Sequence, residues 1–165
     1  AGWRVSRSTL KHERALIGNS VFSRRTLDGV LFMAHVVRRN GDLAIKDPVL
    51  RDAIVQAETK VLASEYHAWR LLTLQARGED PGIAAMVTKL YGTQLGYETG
   101  KLAMDLLGDT ALLGPGEKSA PGEGMFLHAY MWSLGMLIAG GTANIQRNVI
   151  GERGLGLPRD GATGR

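Results

Sequence analysis

A Gly140-Gly141-Thr142 turn leads into Ala143-Asn144-Ile145-Gln146-Arg147-Asn148, a run with helical spacing. Backbone N–H groups at such a helix start point outward and carry partial positive charge. The glycines let a ligand come close to the backbone. That combination suits a phosphate or a carbonyl oxygen to be polarised, and it equally suits a plain helix cap with Thr142 as the N-cap residue. The other reactive side chains are sparse. Four histidines, His12, His35, His67 and His128, show no metal-ligand spacing, so no metal is expected. Glu13 and Glu152 each stand before an arginine, a pairing common in surface salt bridges. Serine-nucleophile motifs are absent. The chain has no cysteine, which removes thiol catalysis, disulfides and Cys-ligated zinc.

Charge and composition narrow the classes further. The net charge of +4 is mild, and only Arg24-Arg25 and Arg38-Arg39 form basic pairs. Nucleic-acid binding wants a basic stripe with base-reading or stacking partners, so it is not expected. An anionic cofactor or a CoA phosphate accounts for moderate basicity more simply. No apolar run reaches the roughly 18–20 residues of a membrane span. The opening Ala-Gly-Trp has neither the charged nor the apolar part of a secretory signal, and the expectation is a cytoplasmic protein.

The elements that must position these residues read as helices throughout. With 165 residues, the chain is long enough for one domain with a real core. Val5 to Val37 carries Leu16, Ile17, Phe22, Val30, Leu31, Ala34 and Val37 at helical spacing, with Asn40-Gly41-Asp42 as a stop. Asp47-Pro48 opens a second helix with a stripe of Leu50, Ile54, Ala57, Val61, Ala68 and Leu72, ending near Arg77-Gly78. Asp80-Pro81 repeats the start signal for a third, in which Gly92, Gly96 and Gly100 fall on one face. Each glycine costs about 1 kcal/mol of helix propensity, so close approach of a neighbouring helix is expected to offset them. Gly108 to Gly124 reads as a long Gly/Pro-rich loop: functional, mobile or part of an interface. Phe126, Leu127, Tyr130, Met131, Leu134 and Ile138 mark a fourth helix, and Thr142 starts a short fifth. The expected fold is all-α: an antiparallel four-helix bundle plus a short C-terminal helix.

Two stretches carry a family resemblance: Ile138–Arg159, IAGGTANIQRNVIGERGLGLPR, and the opening Gly2-Trp3-Arg4 with Lys11-His12-Glu13-Arg14. Together they resemble the C-terminal helical domain of the flavin-dependent acyl-CoA dehydrogenases. The resemblance runs over nearly the whole chain and implies that residues 1–165 are one domain of a larger enzyme, inactive alone. That enzyme would take a proton from the carbon next to the acyl-CoA thioester carbonyl and pass a hydride from the following carbon to FAD. Electrons would then leave to an electron-transfer flavoprotein. The domain would wall one side of the flavin and substrate site and drive tetramer formation.

The site residues follow residue by residue. Most members carry the proton-abstracting carboxylate directly before the Gly-Thr of the turn, where this chain has Gly140. A minority place it on the domain's first helix in a Leu-x-x-Glu-Arg run, and Leu10-Lys11-His12-Glu13-Arg14 matches, making Glu13 the candidate base. A carboxylate beside an apolar acyl chain has its pKa raised toward neutrality, which suits that role; the plain alternative is an ion pair. The Gly141 N–H would bind the thioester carbonyl. Thr142 and Asn144 match positions that touch FAD. Arg38 and Arg39 lie near the family's Arg-Lys-x-Phe-Gly motif for a neighbouring subunit's cofactor, although Asn40-Gly41-Asp42 replaces its Phe-Gly half. Asp105-Leu106-Leu107-Gly108-Asp109 stands where the family has Gln-x-x-Gly-Gly-x-Gly for the flavin pyrophosphate. Two carboxylates there oppose a pyrophosphate. These departures resemble bacterial members built as α2β2 heterotetramers, several acting on steroid side-chain thioesters, so both homo- and heterotetramers stay open. The alternatives are a partner subunit that completes another chain's flavin site and a helical oligomerisation module without a ligand.

Overall fold

The computed structural model describes Gly2 and residues 17–159. Among these, five α-helices build the fold: α1 (Ser20–Ala34), α2 (Pro48–Ala76), α3 (Gly82–Leu107), α4 (Met125–Ile138) and α5 (Ala143–Val149). Helix α3 is the axis, packed on α1, α2, α4 and α5, while α1 also packs on α2. The four long helices form the bundle and α5 closes one end. No described helix is long and apolar enough to cross a membrane.

Local chemistry explains most boundaries. Asp47 caps α2, its carboxylate accepting from the N–H groups of Val49 at 2.9 Å and Leu50 at 3.4 Å, with Pro48 in the first turn. Gly78, at φ +71°, follows the end of α2. Asp80 accepts from the Gly82 N–H at 3.0 Å at the head of α3. Gly108, at φ +57°, ends α3.

The first helix departs from the expected continuous run. It breaks at Gly18, and Asn19 caps a new start by accepting from the Val21 N–H at 2.9 Å. The break lies where the backbone of Gly18 meets α3: a Cβ on Gly18 would stand 2.5 Å from the Thr88 carbonyl oxygen. At the other end α1 stops at Ala34, three residues short of Val37. Asn40-Gly41 does more than stop a helix. Both residues have positive φ, 51° and 89°, and they turn a small antiparallel hairpin that pairs Arg38 with Leu43 and Arg39 with Asp42.

The core is built around Leu27, Val30, Ile54, Val61, Leu95, Leu106 and Phe126. The glycine face of α3 is used by two neighbours. Gly92 touches the backbone of Gly18, and a Cβ on Gly100 would lie 3.1 Å from the Cα of Tyr130 in α4. The partners of this face are accordingly small. Helix α1 buries Ser20, Ser23 and Thr26, and α4 buries Ala129 and Ser133. The larger apolar residues of the expected stripes turn outward instead: Phe22, Leu31, Leu72, Met131 and Ile138 are all exposed. The buried stripe of α2 runs Leu50, Ile54, Ala57, Val61 and Ser64, and then the helix projects past the core.

The Gly/Pro-rich connection is anchored rather than open. Two 3-10 turns, Gly108–Leu112 and Pro121–Gly124, bracket it, and Ala111 is buried. Gly124, at φ +79°, packs on Pro115, where a side chain would collide.

Candidate functional site

The Gly140-Gly141-Thr142 turn sits where α4 ends and α5 begins. Gly140 has φ +64° and Gly141 +105°, conformations that favour glycine. Thr142 occupies the N-cap position of α5, but its exposed hydroxyl makes no cap hydrogen bond. Asn144, also exposed, accepts from the Arg147 guanidinium at 3.1 Å.

Beneath the turn lie two buried polar side chains that periodicity alone does not flag, Lys89 and Gln146, each 2% exposed. The Lys89 ammonium donates to the Leu137 carbonyl at 3.1 Å and to the Gly141 carbonyl at 2.7 Å. Leu137 O belongs to the last turn of α4, the electronegative end of its dipole, so a cation is stabilised there. The Gln146 amide donates to Gly140 O at 2.9 Å and reaches Gly141 O at 3.5 Å. Lys89 on α3 and Gln146 on α5 thus hold the turn's carbonyls. The only sequence signal for Lys89 was a lysine on an otherwise apolar stretch of α3.

The expected site residues fall into three places. Thr142 and Asn144 lie together at the turn. The Gly141 N–H also lies there, already donating to Ile138 O at 3.2 Å. Arg38 and Arg39 are exposed on the hairpin, Arg38 donating to Gly41 O at 2.9 Å and Arg39 standing 4.0 Å from Asp47. Gly18, at the head of α1, packs beside Lys89, whereas the hairpin follows the tail of α1. Fifteen helical residues, about 22 Å, separate those two ends. The arginines and the turn are therefore not brought together within one chain. Glu13 lies outside the described residues.

Of the degraded pyrophosphate segment, Asp105 pairs with Lys101 one turn back, and Asp109 lies in the 3-10 turn after α3. Of the histidines, His67 bonds Ala84 O at 2.9 Å and Thr88 Oγ1 at 3.2 Å between α2 and α3, His35 bonds Leu31 O at 2.8 Å, and His128 stacks on Trp132. Among the described residues no group of three His, Asp or Glu side chains could hold a metal. One turn along α3 from Lys89, an apolar cavity of about 410 Å³ opens between α1, α3 and α4, lined by Phe22, Gly92, Gly96, Trp132 and Met136.

Comparison with known proteins points one way. The family model described as "Acyl-CoA dehydrogenase, C-terminal domain" matches residues 1–155. The chain is 33% identical over 162 residues to acyl-CoA dehydrogenase IpdE1 of Mycolicibacterium smegmatis, covering 96% of this chain and 38% of that protein. It is 34% identical over 163 residues to IpdE1 of Mycobacterium tuberculosis, covering 96% and 39%. The chain thus spans about two fifths of the length of these curated relatives. Among solved structures, it superposes on the ChsE4–ChsE5 complex from Mycobacterium tuberculosis with a TM-score of 0.82 and 28% identity, covering 96% of this chain and 42% of that one. The Tcur3481–Tcur3483 steroid ACAD shares the fold, at a TM-score of 0.82 and 23% identity over 96% of this chain and 40% of that one.

Proposed function

Because this chain belongs to the acyl-CoA dehydrogenase family, as a C-terminal domain of it, we propose that it serves an enzyme that oxidises a CoA thioester to the 2,3-enoyl-CoA, with Glu13 as the base. One observation carries the reading. Gly18 packs against Thr88 and the Lys89 backbone, and the Lys89 side chain holds the turn. The described chain thus enters the bundle at Gly18, beside the turn; with the family's more common base position here the side-chain-free Gly140, this supports a base supplied from the residues just before Gly18.

In this reading the Glu13 carboxylate takes the proton from the carbon next to the thioester carbonyl. Thr142 and Asn144 would help hold FAD, which would supply the hydride acceptor for the next carbon, so that loss of both hydrogens leaves a double bond in the substrate. The turn supplies a backbone N–H to the thioester carbonyl, stabilising the charge that develops on its oxygen. If that donor is Gly141, it must share or give up its long bond to Ile138 O. The residues present fit the cofactor: Thr142 offers an exposed hydroxyl not spent on its own helix, and Asn144 an exposed amide. Arg38 and Arg39 offer guanidiniums to phosphate from a different edge of the bundle, which suits the cofactor of a neighbouring subunit. An electron-transfer flavoprotein would take the electrons onward.

A second reading is a partner subunit in a heterotetramer, completing another chain's flavin site. The carboxylates of Asp105 and Asp109, in the segment that would face a pyrophosphate, favour it. So does the likeness to one chain of the ChsE4–ChsE5 complex. Both readings are tested by the FAD-to-chain ratio of the complete protein, purified alone and with its partner subunit, together with Glu13→Gln. One FAD per chain when alone, with turnover abolished and FAD retained in Glu13→Gln, supports the dehydrogenase. Flavin that appears only with the partner, and activity indifferent to Glu13, supports the second reading.

A further inference from the structure

We propose that Lys89 is a positioning residue: its buried ammonium, with the Gln146 amide as its companion, locks the Gly140–Gly141 backbone in the one conformation in which the turn meets substrate and cofactor. This rests on the dehydrogenase reading above and adds to it a residue that touches neither the substrate nor the flavin.

The turn has every reason to move. Two consecutive glycines have the widest conformational freedom of any residue pair. Thr142 adds no side-chain cap. Something must select one backbone state, and the two buried side chains do so from two different helices. Lys89 bonds Leu137 O and Gly141 O, fastening the end of α4 and the turn to the same nitrogen. Gln146, from α5, bonds Gly140 O. Both peptides are trans, so drawing the Gly141 carbonyl inward aims the Thr142 N–H the opposite way. The ammonium also polarises the Gly141–Thr142 peptide, because a hydrogen bond to a charged donor is stronger than a neutral one. Burying a lysine at 2% exposure is costly unless it is paired. Leucine or methionine would fill the same space in a core that needed only packing. An ammonium held on the Leu137 and Gly141 carbonyls fastens the end of α4 and the Gly-Gly turn to α3.

The test uses the complete flavin-loaded protein, with its partner subunit if one is needed, and the variant Lys89→Met, which keeps the stem and removes the three donors. Turnover should fall by about 100-fold, as displacement of a catalytic group by about 1 Å does. KM should stay within about threefold and FAD content should be unchanged. Amide hydrogen exchange across 138–145 should quicken by at least about tenfold, with exchange in α1 and α2 as in the wild type. Gln146→Met, which leaves Lys89 in place, should quicken exchange over the same segment, and it substitutes as the test if Lys89→Met does not fold. Wild-type turnover and exchange in both variants would overturn the proposal. So would exchange that quickens in every helix with activity lost in step with FAD, since that is a general structural role. If the wild type oxidises no acyl-CoA, the dehydrogenase reading fails separately, and the exchange measurement still decides whether Lys89 holds the turn.

Discussion

Gly18 and Gly92 meet backbone to backbone, and neither position has room for a Cβ. Gly96, one turn further along α3, has its nearest neighbour, Ser23 Oγ, at an ordinary 3.9 Å. The two glycines share a helix and a face, yet alanine should act on them with opposite signs. Gly92→Ala gains about 1 kcal/mol of helix propensity but forces rigid backbone apart, and overpacking of that kind costs about 1–3 kcal/mol or more. A net loss follows. Gly96→Ala keeps the propensity gain and meets no clash, so it should stabilise by up to about 1 kcal/mol. Urea unfolding of both variants, read as midpoint shifts at constant m-value, checks the pair.

Arg24 ties α1 to α2 through two carboxylates set two turns apart on α2. Its guanidinium bonds both oxygens of Glu58, at 2.6 and 2.9 Å, and Glu65 at 2.9 Å, with Asp28 at 3.5 Å. These hydrogen bonds, Glu58 first, hold its pKa well above the ordinary arginine value. Arg24 thus keeps its charge at any accessible pH, and the cluster responds to salt rather than to deprotonation of the arginine. Isolated surface pairs contribute about 0–1 kcal/mol, but a bidentate, part-buried arginine serving two carboxylates should exceed that. Arg24→Leu should cost about 1–2 kcal/mol at low ionic strength. That difference should shrink in 1 M NaCl, where the screening length falls to about 3 Å. Thermal melts in the two salts measure it.

The sequence carried the helices because their punctuation is local. Asp47-Pro48, Gly78 and Gly108 act within one turn of the chain, so their effect is readable without knowing the neighbours. The faces were less legible. A stripe that places Phe22, Leu31 and Met131 inward is the natural reading of apolar spacing, but at Gly92 and Gly100 of α3 the neighbouring backbone comes too close for a large side chain to lie between. The buried partners are therefore Ser20, Ser23, Ala129 and Ser133. The same gap hid the turn's support. Gly-Gly-Thr is visible in the sequence, while Lys89 lies about fifty residues upstream and only the fold brings it under Gly141. The Asn40-Gly41 pair carried a hairpin signal, but the two-residue strands beside it are too short to show alternation.

Lys60 and Tyr91 give the α2–α3 seam an alkaline limit. Lys60 donates to Glu98 at 2.8 Å, and that bond holds its pKa above the ordinary 10.5. Tyr91 donates to the Lys60 carbonyl at 3.1 Å, and loss of hydration raises its phenol above the ordinary 10.0. In both cases the folded state favours the protonated form. Their stabilisation is fully present below about pH 10. It is lost as pH rises through the raised values. Lys60 is half exposed and solvent-screened, so Lys60→Gln should cost less than about 1 kcal/mol at pH 7. The gap between wild type and variant should close as pH rises through the raised lysine value. A gap that persists or widens at high pH in chemical-denaturation curves would contradict this assignment.

Under the dehydrogenase reading proposed above, Gly140 poses the sharpest question about where the base stands. The family's commoner arrangement would put a glutamate there, and a simple view holds that Gly140→Glu should supply a base to a Glu13→Gln enzyme. The backbone argues against it. Gly140 sits at φ +64°, a left-handed conformation that costs about 1–2 kcal/mol for a residue with a Cβ. Its carbonyl is fastened by Gln146, so the turn cannot relax toward a conformation that a side chain prefers without breaking that bond. The double variant should therefore be less stable than Glu13→Gln by about 1–2 kcal/mol. It should also recover less than about 1% of wild-type turnover, since a base misplaced by about 1 Å already loses about 100-fold. Steady-state turnover and thermal melts of the two variants, each with its FAD content measured, decide it. Recovery of substantial activity would mean that the turn adapts to a side chain at Gly140 and that its present geometry is a consequence of the glycine rather than of the clamp beneath it.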